Sequence, residues 1–125
     1  MPRMTFLSVR TLGLVAFAAG LALLTVLSLL PREALPPTGV WDKAQHTGAY
    51  FMVTAAGLAA FQGRRGMVGV ALFMLAYGGV IEVLQGLTPD RTASLGDIVA
   101  NAIGIAAAAG AAHLIRLVAG VGRSA

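Results

Sequence analysis

Four tracts with little or no charge, Thr11 to Pro31, Ala44 to Gly63, Gly66 to Ile81 and Ile98 to Ile115, alternate with short polar segments. About 20 apolar residues cross a hydrocarbon core of roughly 30 Å. The spacing therefore predicts membrane helices at about 11–30, 43–62, 67–86 and 95–115. The third tract is short, and its helix must continue through Glu82 to about Gly86 if it is to span. The expected fold is all-α: an integral membrane four-helix bundle, one domain over 1–125, with no internal repeat.

Polar residues that interrupt the apolar pattern mark candidate chemistry. An ionisable side chain inside a membrane helix costs about 2.5–3.5 kcal/mol on insertion scales and normally faces a bundle interior or a wet cavity. Glu82 is such a residue, with Gln85 three positions on and Gly78 one turn before, where a neighbouring backbone would come close. It lies near a helix C-terminus, whose dipole disfavours negative charge. Glu82 is thus expected either to pair with Lys43, Arg91 or protonated His46, or to be kept neutral by burial.

The second helix opens on Asp42, a candidate N-cap with Gln45 three residues later, and His46 and Tyr50 follow at four-residue steps. Asp42 either caps or takes part in a site; His46 is either a hydrogen-bonded bundle histidine or a functional one. The fourth helix opens on Ser94-x-x-Asp97, a capping-box spacing that leaves the same two roles for Asp97. Asn101 lies one turn deeper, flanked by Ala100 and Gly104. Small residues four apart let helix backbones approach, and Ala16 and Gly20 offer a second such pair on the first helix. Pro31, Pro36 and Pro37 punctuate the first connection, Trp41 suits a membrane interface, and QGRRG reads as a tight helical hairpin.

Composition agrees with the pattern: 58% hydrophobic and 11% charged residues lie far from a soluble domain. A net charge of +4 would suggest nucleic acid in a soluble protein, but the distribution argues otherwise. Arg3, Arg10, Arg64, Arg65, Arg116 and Arg123 fall on one side of the predicted bundle; every acid lies toward the other, with Arg32, Lys43 and Arg91. The positive-inside rule then makes both termini cytoplasmic and turns the polar stretch outward, with no nucleic-acid partner. Absence of cysteine excludes disulfides and thiolate chemistry. The basic, apolar N-terminus resembles a signal peptide, but its run is long and no A-x-A follows, so it reads as an uncleaved anchor.

The topology gathers His46, Glu82, Gln85, Asp97 and Asn101 into a polar pocket at one end, with Asp42, Tyr50 and Ser94 supporting it and Lys43 and Arg91 above. Two helix N-termini point into the same region, which suits an anionic headgroup held by Lys43 and Arg91. A different reading takes His46, Glu82 and Asp97 as zinc ligands or as an acid/base pair for hydrolysis in the membrane. Neither H-E-x-x-H nor G-x-S-x-G is present, no organic cofactor is expected, and metal binding stays open. Transport would require a homo-oligomer, since four helices are few for alternating access.

The combination D-K-x-x-H-x-x-x-Y-F at Asp42 to Phe51, E-x-x-Q at Glu82 and Gln85, and R-x-x-S-x-x-D-x-x-x-N-x-x-G from Arg91 to Gly104 resembles the VanZ-like family. These are small bacterial membrane proteins named for a teicoplanin-resistance determinant. The resemblance runs from the end of the first helix to the end of the fourth. It implies a multi-pass protein of the bacterial cytoplasmic membrane whose partners are the bilayer and a lipid-linked cell-wall precursor or a lipoglycopeptide. The chain departs from such proteins in carrying Thr47 after the histidine, where an aromatic is frequent, and in having no appended domain.

Overall fold

The structure is a computed structural model that describes residues 2–124, with side chains described over 8–120. It is all-helical: α1 Pro2–Leu29, a single 3₁₀ turn Arg32–Ala34, α2 Asp42–Ala60, α3 Gly63–Gly86 and α4 Leu95–Ser124. The helices extend past the charge-free tracts at several ends, because charge marks where lipid stops and not where a helix must stop. Thus α1 runs back through Arg10, α3 already includes Arg64 and Arg65, and α4 continues past Arg116. The side chains of Arg3 and Arg123 lie outside the described residues.

Each of α2, α3 and α4 buries one stripe. On α3 it is Val70, Met74, Gly78, Ile81, Glu82 and Gln85, at the three- and four-residue steps of one helix face. Glu82 therefore sits in register with the apolar core and not beside it. The core itself joins Leu24, Tyr50, Val53, Leu58, Val70, Met74, Ile105 and Ala108. Going round the bundle the order is α1, α2, α4, α3, with α2 also touching α3; among the described residues α1 and α4 do not meet.

The outward faces carry Leu12, Val15, Leu72, Val83, Leu114 and Ile115, all more than half exposed. Large aliphatics displayed this way need a lipid solvent. Among the described residues, three helical segments have the length and apolarity to cross a bilayer: Ser8–Leu29, Gly63–Gly86 and Leu95–Gly120. The 19-residue α2 falls short of the expectation of a fourth equally apolar span, because its first turns are spent on Asp42, Lys43, Gln45 and His46.

The close approaches differ in part from the sequence expectation. On α1 it is Gly13 that meets α2: a Cβ there would lie 2.8 Å from Ala60 N and 3.1 Å from the Ala56 carbonyl. Gly20 faces Val53 seven residues on, whereas Ala16 is exposed. Ala100 and Gly104 do form the expected contact. A Cβ on Gly104 would collide with the Thr47 carbonyl oxygen, so α2 and α4 touch backbone to backbone. The α2–α3 hairpin needs its glycine too, since Gly63 has φ of 89°.

Candidate functional site

The polar residues converge where α2 and α4 begin and α1 and α3 end. Ser94 precedes α4, and the Asp97 N–H points to Ser94 Oγ at 3.4 Å, half of the predicted capping box. In such a box the acid three residues on would bond the Ser94 N–H in return. That place is taken by Glu82, whose Oε1 accepts the Ser94 N–H at 2.6 Å. A carboxylate unfavourable at the end of its own helix thereby meets the positive end of the next one. The expectation that Glu82 pairs with Lys43, Arg91 or His46 is not met in its hydrogen bonds.

Relieved of capping, Asp97 turns to α2. Its Oδ1 is ion-paired with Lys43 Nζ, and its Oδ2 lies 3.8 Å from His46 Nε2. Lys43 Nζ also reaches Asp42 Oδ2 at 3.3 Å, while Asp42 Oδ1 stands 3.8 Å from the same His46 Nε2. The other ring nitrogen, Nδ1, is bonded to Asn101 Oδ1 at 3.0 Å. Asn101 is buried and its amide nitrogen faces Gly78 on α3. Asp42 is not the N-cap of α2. That place falls to Trp41, which makes no side-chain cap bond, and Gln45 Nε2 instead donates to the Val40 carbonyl at 2.7 Å. The Asp42 carboxylate is left free to face Lys43 and His46.

Two predicted pocket residues are employed elsewhere. Gln85 Nε2 donates to the Ser28 carbonyl at 3.0 Å, and Arg91 donates to the Leu30 carbonyl at 2.7 and 3.2 Å and to Leu27 at 3.2 Å. Both serve the last carbonyls of α1, which lack helical partners. Lys43 and Arg91 therefore serve different partners: one belongs to the carboxylates of α2 and α4, the other to the end of α1. The turn that aims Arg91 is closed by its N–H on the Thr88 carbonyl, with Asp90 at φ 65°, a region that aspartate tolerates better than most residues.

Deeper in the bundle, three buried side-chain atoms have no hydrogen-bond partner among the described residues: Tyr50 Oη, Thr54 Oγ1 and Glu82 Oε2. Tyr50 packs against Gly78, where a Cβ would lie 3.1 Å from its ring and 3.4 Å from both its hydroxyl and the Asn101 amide nitrogen. Side chains, not a backbone, fill the space that Gly78 leaves. Thr54, absent from the predicted pocket, follows Tyr50 by four residues on the same stripe, and that spacing is the sequence signal that marks it. Thr47 also has a use: its single hydroxyl hydrogen is shared between the carbonyls of Lys43 at 2.9 Å and Ala100 at 3.2 Å. A small residue there lets the α4 backbone approach next to His46, where an aromatic would hold it off.

The site is acceptor-rich. Asp42 and Asp97 share a single lysine, Glu82 has no cation in its hydrogen bonds, and Asp42 is the member that reaches solvent, with 58% of its side chain exposed. The chain matches no protein-family model, no curated protein and no solved structure.

Proposed function

We propose that this chain is a multi-pass protein of the bacterial cytoplasmic membrane, both termini cytoplasmic, that engages a lipid-linked cell-wall precursor or a lipoglycopeptide at the outer leaflet. The observation that carries the reading is the half-open cluster of Asp42, Lys43, His46 and Asp97, backed by buried Asn101, at one end of a bundle whose outward faces carry large exposed aliphatics. Clustered charge at a membrane-helix end costs free energy that binding would offset. The VanZ-like resemblance points to the same ligand class.

The internal bonds refine what the ligand offers. Arg91 is committed to α1 carbonyls and Lys43 to two carboxylates, so a bare phosphate would meet little free positive charge. Hydroxyl and amine donors, as on amino sugars and glycopeptides, suit the acceptor oxygens better. A second reading, a metal-dependent enzyme of the membrane, is favoured by the grouping of Asp42, His46 and Asp97; Glu82 lies outside that trio.

The test is susceptibility to teicoplanin, with vancomycin as comparator, in a sensitive host expressing wild type, Asp42→Asn or Glu82→Gln at matched membrane levels. Protection by the wild type that both variants lose supports engagement through this pocket. Equal protection by all three moves the function to the bundle surface, and no protection by any sinks the antibiotic reading.

A further inference from the structure

Lys43 divides two carboxylates in a particular way. It holds Asp42 Oδ2 and Asp97 Oδ1, and leaves Asp42 Oδ1 and Asp97 Oδ2 turned toward His46 Nε2, each at 3.8 Å. The protonation of that nitrogen is governed from the far side of the ring. Asn101 Oδ1 can only accept, so His46 Nδ1 carries the proton of their 3.0 Å bond, and in the neutral ring Nε2 presents a lone pair. Three acceptors then face one another with no hydrogen to share.

Their spacing bears on what belongs between them. At 3.8 Å the nitrogen is too far from either oxygen for a direct hydrogen bond. Ligands about 2.0–2.2 Å from a tetrahedral zinc lie about 3.4 Å apart, a few tenths of an ångström less than the 3.8 Å from the nitrogen to each oxygen. One ligand atom from each of the three residues falls within 4.8 Å of the others. Asn101 stands where the outer partner of a metal-bound histidine ordinarily stands, fixing tautomer and ring orientation.

We infer that Asp42, His46 and Asp97 form a divalent-cation site with one nitrogen and two carboxylate ligands, the donor set that zinc accepts. Asp42 is exposed, so a fourth position opens outward, as in zinc sites that take a water or a ligand. Lys43 orients both carboxylates from behind. The inference deepens the reading of this end as a ligand site, since a cation here would supply the positive charge that Lys43 and Arg91 have already spent. It can nevertheless fail alone, because its test involves no antibiotic.

The experiment uses the full chain, purified in detergent micelles, stripped with chelator and titrated with Zn²⁺, bound metal being read by calorimetry and elemental analysis. One zinc per chain is expected. Asp42→Asn, at a largely exposed side chain whose loss leaves packing intact, and His46→Gln should each weaken binding at least about tenfold, and Asn101→Ala by about 10–100-fold. Helical circular dichroism checks that each variant is folded. His113, the other histidine, is exposed on α4 away from the trio, and His113→Ala should bind as wild type does. Absence of stoichiometric zinc, binding unchanged in Asp42→Asn, or binding lost in His113→Ala would each overturn the assignment.

Discussion

The two oxygens of Glu82 have different fates: one bonds the Ser94 N–H, and the other is buried with nothing to accept. Glutamine keeps an acceptor for Ser94 and removes a carboxylate from a place that hydrates it poorly. Glu82→Gln is therefore expected to match or exceed wild-type stability, whereas Glu82→Ala strands the Ser94 N–H at a cost of about 1–3 kcal/mol. Denaturant unfolding in detergent micelles separates the two, and a Glu82→Gln protein that unfolds as early as Glu82→Ala would contradict the bonding described. The sequence singled out Glu82 because an acid in an apolar tract stands out, yet its partner lay beyond reach. Judged against its own helix Glu82 had no cap to make, and only folding shows that the adjacent N-terminus lies within its reach. The partners of Lys43 and Arg91 were hidden for a related reason: charge and topology put both at one end, while hydrogen-bonding need decides which neighbour each one serves.

Among the elements, α2 and α4 are the closest pair, and Gly104 sets how close. Gly104→Ala drives a methyl group into the Thr47 carbonyl and should destabilise by about 1–3 kcal/mol. Gly110, six residues further along the same helix, has open space where a Cβ would go. Gly110→Ala should raise stability by about 0.5–1 kcal/mol through helix propensity alone. Opposite signs for these two identical substitutions, measured by unfolding in the same micelles, are the signature of that contact. That α4 offers a close contact was visible in the sequence as Ala100 and Gly104, a small pair four apart, but not that α2 is the helix it meets. The pairing of α1 was not, since Gly13, Ala16 and Gly20 are all small and the choice among them depends on how α1 is rotated. Helix ends were legible where a side chain marks them, as at Ser94, and slipped at Asp42, where Trp41 caps without a side-chain bond.

For the molecule as a whole, the charge asymmetry makes a prediction about orientation. The chain has no cysteine, so single-cysteine reporters need no background removed. Thr38→Cys, between α1 and α2, should react with a membrane-impermeant maleimide in intact cells, and Gln62→Cys, between α2 and α3, only after permeabilisation. The reverse pattern would invert the topology and place the carboxylate cluster in the cytoplasm.

The bundle also holds its two ends by different means. At one end Arg91 and Gln85 tie α3 and its loop to α1, Glu82 ties α3 to α4, and Lys43 ties α2 to α4. At the other, Phe17 meets Phe61 and Phe73 edge to face across a 420 Å³ apolar hollow. Water would reward the ring contacts, but acyl chains replace them at little cost, and no lipid tail replaces a hydrogen bond. The bilayer thus divides the labour within the bundle: bonds that no lipid tail can replace fix the carboxylates at one end, while at the other α1 is held by its backbone approach to α2 at Gly13 and by ring contacts.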